Sequence, residues 1–323
     1  MKLLVTGAAG FIGSNFVRMI AKGDFQGISS VTVLDKLTYA GVRANLDSVA
    51  NLSQYEFKQG DICDPVVVTN ILKDVEVVIN FAAESHVDRS ISGATDFVQT
   101  NIVGVQVLLD AIKASDKKIR FLQVSTDEVY GSIESGSWTE DWPLQPNSPY
   151  SASKAGGELL ARSYHRTHGM NVVITRCSNN YGTHHFPEKL IPLFITNLIE
   201  GKKVPVYGNG KNVRDWLHVD DHCRGIYSVL MNGKSGEVYN IGGGRELTNN
   251  EITSLILEAM GSDESSIEYV EDRKGHDLRY SVDWTKINRE LGYEPKVKFE
   301  DGLRETIAWY RNNEAWWKPL KKR

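Results

Sequence analysis

Gly7-Ala8-Ala9-Gly10-Phe11-Ile12-Gly13 decides the fold, with its glycines spaced G-x-x-G-x-x-G. The apolar run Lys2–Thr6 precedes it and reads as a buried strand. Phe11–Lys22 follows it with helical spacing of apolar residues. At a strand-to-helix turn the first glycine, Gly7, permits the tight bend. The second, Gly10, lets the backbone approach a pyrophosphate, and the third, Gly13, lets helix and strand pack closely. The helix N-terminus adds free N–H groups and a partial positive charge. Alone such a loop is only a glycine-rich turn. Asp35 strengthens it: it closes the next β-rich run, Ser30–Leu34, 22 residues after Gly13. An acid there bonds an adenosine ribose hydroxyl and repels a 2′-phosphate, so NAD is favoured over NADP. Lys36, next door, pulls the other way.

Working outward, strand and helix patterns alternate for about 175 residues. Tyr55–Lys58, Glu76–Phe81, Ile119–Ser125 and Asn171–Thr175 read as strands; Phe97–Ser115 and Tyr150–His168 read as helices. That alternation predicts an α/β fold of Rossmann type, a doubly wound parallel sheet with helices on both faces. After Cys177 proline and glycine punctuate short segments, and Asn249–Met260 and Phe299–Arg311 read as further helices. We therefore expect an NAD-binding domain over 1–177, joined by part of 212–245. A smaller, mixed α/β substrate-binding domain is expected over 178–323.

The chain has 323 residues, 41% hydrophobic, with 37 Lys plus Arg against 41 Asp plus Glu and a net charge of −4. That is an ordinary globular composition and gives no electrostatic reason to expect nucleic acid. The one basic run, Lys318–Arg323, reads as a solvated tail. No apolar run approaches the roughly 18 residues of a membrane span. Cys63, Cys177 and Cys223 are odd in number and far apart, which suits a reducing cytoplasm.

Tyr150 and Lys154 stand four apart on a predicted helix and so share a face. A neighbouring ammonium favours the phenolate, and the pair could then move a hydroxyl proton near neutral pH. Ser125-Thr126-Asp127-Glu128 follows a predicted strand at its carboxyl end, where open α/β sheets bind ligands. Adjacent carboxylates that differ in burial can serve as acid and base. An elimination needs both.

These residues resemble the extended short-chain dehydrogenase/reductase family, and within it the dTDP-glucose 4,6-dehydratases. The narrower likeness rests on Phe81–Ser90, Ser125–Gly131, Cys177–Gly182, Phe186–Leu190, Asn212–Trp216 and Asp272–Asp277, and it spans nearly the whole chain. The resemblance implies oxidation at C4 of the sugar by NAD, with Tyr150 taking the hydroxyl proton, assisted by Lys154 and Thr126. Glu128 would take the C5 proton, and Asp127 would protonate the departing C6 hydroxyl. It further implies cofactor contacts from Phe11, Ile12, Asp35, Lys36, Thr38, Asp61 and Ile62. Ala82, Ala83, Ser85, Thr100, Tyr150, Lys154 and Asn180 continue that set. The implied substrate contacts are Ser85, Thr126, Asn179, Lys189, Leu190, Pro205, Tyr207, Arg214, Asn249, Arg273 and His276. Arg214 and Arg273 suit a diphosphate, which guanidinium grips with paired hydrogen bonds. A homodimer formed through Phe97–Ser115 and Tyr150–His168 is also implied. Three stretches depart from the usual pattern: Thr183-His184-His185, Gly244–Leu247 and Leu278.

Other readings carry less. His218 and His222 stand four apart with acids between them but lack the zinc-protease order, so no metal is expected. No G-x-S-x-G elbow supports a hydrolase. His184-His185 is expected to line or flank the substrate region. Leu303, Ile307 and Tyr310 are expected to form the stripe of a docking helix under Trp309, Trp316 and Trp317. A 4-epimerase or decarboxylase of the same fold would share the glycine loop and Tyr150/Lys154. It would have no use for Asp127-Glu128 as an elimination pair. A non-catalytic NAD sensor would need none of these groups.

Overall fold

The structure is a computed structural model and describes residues 1–322. Its strands are β1 (Lys2–Thr6), β2 (Ser30–Asp35), β3 (Tyr55–Gln59), β4 (Val77–Asn80), β5 (Arg120–Thr126) and β6 (Val172–Cys177). They continue as β7 (Asn179–Tyr181), β8 (Val204–Tyr207), β9 (Val213–His218), β10 (Val238–Ile241), β11 (Glu246–Thr248) and β12 (Ile267–Val270). Seven form one sheet in the order β10-β6-β5-β4-β1-β2-β3. Every neighbouring pair in it is parallel. Its central strands are covered on both faces, so they read as continuous apolar runs. The strand order reverses between β1 and β4, and a crevice opens at their carboxyl ends.

Helices cover both faces. Phe11–Lys22 and Val219–Asn232 close one side, burying Phe16, Val17, Cys223 and Ile226 with Val5 and Val33. Pro65–Ile71, Gly104–Ala114 and Pro149–His168 close the other over Val68, Leu108, Leu109 and Ala161. A separate core holds Ile191, Phe194, Ile195, Trp216, Ile252, Leu303 and Tyr310. Around it stand helices Leu190–Ile199, Asn249–Met260 and Phe299–Asn312, with the small sheets β11-β9-β7 and β12-β8.

Three details differ from the sequence reading. The helix expected from Phe97 begins at Thr95 and makes a π turn over Gln99–Val103 before Gly104–Ala114. Helices Leu190–Ile199 and Val219–Asn232 were hidden by the punctuated texture. Pro192 lies in the first turn of its helix, where a missing N–H costs nothing. The basic run from Lys318 is not a solvated tail. Helix Glu314–Leu320 docks on the body, Leu320 is buried, and Lys321 Nζ donates to Asn197 Oδ1 at 2.8 Å. The interleaved Trp316, Trp317 and Leu320 supply the apolar anchor; Arg323 lies outside the described residues. Among the described residues no helix is long and apolar enough to cross a membrane.

Candidate active site

The glycine loop lies at the crevice. Gly7 is left-handed (φ +68°), and a Cβ on it would sit 2.5 Å from the Ala82 backbone. The loops after β1 and β4 therefore touch there. A Cβ on Gly13 would sit 2.8 Å from Ala8 Cα, so helix and strand are at closest approach. Gly10 is the N-cap of helix Phe11–Lys22 and carries no side-chain cap, leaving the first-turn N–H groups for a ligand. Asp35 ends β2, buried, accepting from Ala9 N and Leu37 N at 2.8 Å each. Burial pushes its carboxyl up, and those amides act against the shift. Lys36 Nζ is 2.7 Å from Asp61 Oδ2, so its charge is answered locally and the acid at Asp35 decides against a 2′-phosphate. Thr38, Ile62, Ala82, Ala83, Ser85, Thr100 and Asn180 line the same cleft. A glycine cradle, an open helix end and a buried acid fit NAD.

The cleft runs on to the end of β5. Thr126 caps a short turn over Asp127–Tyr130, its Oγ1 accepting from Glu128 N at 3.3 Å. Asp127 is 1% exposed. Its Oδ1 accepts from Thr126 Oγ1 at 3.2 Å, and its Oδ2 is sealed with no partner among the described residues. An ionised carboxylate is costly there. Burial first, then Glu128 and Asp215, push its pKa well above the ordinary value. Glu128 is half-buried; burial raises its pKa, and Lys189, Arg214 and Arg273 oppose the rise. Both carboxyls are pushed up, Asp127 the further, so the neighbours are unequal.

Tyr150 and Lys154 share the inner face of helix Pro149–His168, which Ser148 and Ser151 close with a capping box. Lys154 Nζ donates to the Val124 carbonyl at 2.7 Å, and burial lowers its pKa to about 8. Tyr150 departs from the sequence expectation. Burial, Glu128, Cys177 and Asp127 raise its pKa well above the ordinary value, with Thr126 pulling weakly the other way. The ammonium four residues on does not dominate, because burial is the larger effect and the carboxylates after β5 add to it.

A second cavity adjoins the first, and Ser85, Glu128, Asn179 and Lys189 line both. Lys189 Nζ donates to the Ser85 carbonyl at 2.8 Å. The Arg214 guanidinium lies 4.1 Å over the Tyr280 ring. Arg273 is held by Asp88, Nε to Oδ1 at 2.5 Å and Nη2 to Oδ2 at 3.1 Å, and lies 5.3 Å over Tyr207. His276 Nδ1 lies 2.7 Å from Asp272 Oδ1. Leu190, Pro205 and Asn249 complete the wall. Every candidate residue named from the sequence lines one cavity or the other.

Sequence reasoning missed Asp88 and Tyr280 as site residues, whereas His184-His185 was expected to line or flank the substrate region. The His185 ring stacks on Phe11 with centroids 4.2 Å apart and lines both cavities. His184 takes a left-handed φ of +64° and packs 4.3 Å from Trp309. His218 and His222 are used locally: His218 Nδ1 accepts from Asp220 N at 3.3 Å, and His222 Nδ1 lies 2.9 Å from Asn180 Oδ1. Leu278 is 66% exposed and lines neither cavity.

The sequence profile described as GDP-mannose 4,6 dehydratase matches residues 4–306. The chain belongs to this family. Within the GDP-mannose 4,6 dehydratase family it is similar to proteins named for another nucleotide. A dTDP-glucose 4,6-dehydratase of Streptomyces niveus is 56% identical over 324 residues, covering 99% of this chain and 96% of the relative. One of Streptomyces griseus is 58% identical over 318 residues, covering 98% and 96%. The crystal structure of DesIV, a dTDP-glucose 4,6-dehydratase from Streptomyces venezuelae with NAD and TYD bound, superposes with a TM-score of 0.97. It is 58% identical and covers 99% of this chain and 100% of that one.

Proposed function

We propose that the protein is an NAD-dependent dTDP-glucose 4,6-dehydratase. It converts dTDP-glucose to dTDP-4-keto-6-deoxyglucose and water. The observation that carries this is the unequal pair Asp127 and Glu128 at the end of β5, in the cleft that also holds Tyr150 and Lys154. Bound NAD supplies the hydride acceptor at C4 and the donor at C6, and is regenerated.

The chain's own groups handle the protons. Burial and the neighbouring carboxylates oppose the Tyr150 phenolate, so the positive charges of Lys154 on the same helix face and of the bound nicotinamide must offset them for Tyr150, with Thr126, to receive the proton of the C4 hydroxyl. The C4 ketone acidifies the C5 proton, and Glu128 takes it. Asp127, the proton-holding acid, protonates the C6 hydroxyl, which leaves as water. Glu128 returns its proton to C5 as C6 is reduced, and the proton that Tyr150 took from the C4 hydroxyl replaces the one Asp127 gave to the departing water, which resets both groups. Arg214, Arg273 and Lys189 offer the diphosphate three cations, each oriented by Tyr280, Asp88 or Ser85.

The same reading gives the seven-stranded unit to the cofactor and the smaller core to the sugar nucleotide. It takes the protein as a cytoplasmic homodimer; the free Cys63, Cys177 and Cys223 suit a reducing compartment. The test is a mass spectrum of dTDP-glucose after incubation with purified protein and no added NAD. Loss of one water is expected. An unchanged substrate, with NAD added and with UDP- and GDP-sugars tried in turn, overturns the assignment.

A further inference from the structure

The C-terminal helix Glu314–Leu320 lies far along the chain from the glycine loop, yet one buried asparagine connects them. Trp316 Nε1 donates to Asn45 Oδ1 at 2.9 Å. Asn45 Nδ2 in turn donates to the Ala9 carbonyl at 3.0 Å, inside the glycine loop. Val42 N donates to the same carbonyl at 3.0 Å, and Ala9 N donates to Asp35 Oδ2 at 2.8 Å. Asn45 is 2% exposed and lines the cofactor cleft. Two residues of the helix also close an apolar contact: Leu320 is buried with Val42 and Phe186, and Trp316 and Tyr39 pack against them. Val42 and Phe186 both line the cleft.

We propose that Trp316 is a positioning residue for the dinucleotide, holding the loop Thr38–Asn45 and the glycine turn in their binding geometry through Asn45. This inference rests on the cofactor being NAD, as proposed above. The physical argument is pre-organisation. Asn45 has a short amide side chain with one acceptor oxygen. Fixing that oxygen from outside the cleft fixes the direction of its N–H group toward Ala9. Ala8 and Ala9 bury the inner side of the glycine loop in the core, while toward the cleft its Ala9 carbonyl is held by Asn45 Nδ2 and Val42 N. A loop that must be ordered on binding lowers affinity by the cost of ordering it. The helix removes that cost in advance. The cofactor is retained through a complete turnover, so its affinity is the quantity this contact serves.

The test compares wild type with Trp316→Phe, which deletes the N–H donor and keeps the aromatic packing, and with Leu320→Ala, which loosens the apolar contact. NAD is removed, and its rebinding is measured by titration calorimetry. Its release is followed by nicotinamide fluorescence after reduction. Trp316→Phe is expected to bind NAD about five- to tenfold more weakly, the worth of one hydrogen bond, and Leu320→Ala to weaken binding in the same direction. At saturating NAD, kcat and the KM for dTDP-glucose are expected to stay within about twofold of wild type. Circular dichroism at the assay temperature establishes that each variant is folded. Unchanged NAD affinity in both folded variants overturns the proposal. So does an equal rise in the KM for the sugar nucleotide, which would mark a general loosening. If wild type bound NAD and dehydrated no nucleotide sugar, the affinity comparison would still decide the role of Trp316 while the assigned activity failed.

Discussion

Asp127 and Glu128 are chain neighbours, yet the fold gives them different surroundings. Asp127 lines the cleft deeply buried, with one oxygen unpartnered among the described residues, whereas Glu128 faces Lys189, Arg214 and Arg273. Asp127→Asn keeps the shape and removes the transferable proton. We expect dehydration to fall by about 10²–10⁴-fold, the range of a lost general acid. C4 oxidation should survive, so absorbance at 340 nm should rise and persist on adding dTDP-glucose. Absence of that NADH signal, with turnover near wild type, would remove Asp127 from the acid role. Lys154 carries a second expectation. Its pKa is lowered to about 8 by burial, so the ammonium is present below that pH and lost above it. Activity should therefore fall as pH rises through about 8. Lys154→Arg, which holds its proton, should move that limb upward; an unmoved limb would assign it elsewhere. The pairing of Tyr150 with Lys154 was legible because helical spacing is local. The direction of the Tyr150 shift was not, because it is set first by burial and then by groups of the turn after β5 and of β6.

At the scale of elements, local pattern was enough wherever the physics is local. Lys2–Thr6 and Phe11–Lys22 have the boundaries that the sequence predicts, since a buried strand, a glycine turn and an amphipathic helix declare themselves within twenty residues. Helix Asn249–Met260 likewise has the bounds that its apolar pattern predicts, and in the structure a capping box of Thr248 and Glu251 closes its start. The substrate side was legible only through resemblance. Tyr207, Arg214 and Arg273 come from three elements, and Arg273 meets Asp88 across 185 residues of chain. No spacing rule connects them. The glycine turn offers a direct test of close packing. Gly13→Ala would put a Cβ 2.8 Å from Ala8 Cα and 2.9 Å from the Gly7 carbonyl, both rigid backbone. The helix must shift from the strand, at about 1–3 kcal/mol. We expect a Tm lower by several degrees and NAD affinity reduced at least tenfold. A variant with native Tm and native affinity would mean the turn has slack that the structure does not contain.

The whole molecule leaves one face unexplained by a single copy. Helix Pro149–His168 turns Tyr150, Lys154 and Glu158 inward and presents Ala152, Gly156, Leu159 and Ser163 outward at helical spacing. Leu159 is 52% exposed. A Cβ on Gly156 would lie 2.8 Å from Ile102 Cδ1, so the helix beside it, from Thr95 to Ala114, is in close contact and extends the same face. Val98, at its start, is 45% exposed. A face of small and apolar residues on two adjacent helices is self-complementary about a two-fold axis, and a second copy would cover it as a four-helix layer. The catalytic helix would then be gripped on both sides, from within by the sheet and from without by the partner. Leu159→Glu sets two like charges near that axis, which Arg162 one turn on can answer only in part once a second copy buries them. Light scattering should give a dimer mass for wild type and a monomer mass for the variant at micromolar concentration. The variant's activity should drop further on dilution, because Tyr150 and Lys154 lose the outer support of their helix. A monomeric wild type would end the dimer proposal. A dimeric Leu159→Glu protein would place the interface on another face of the molecule.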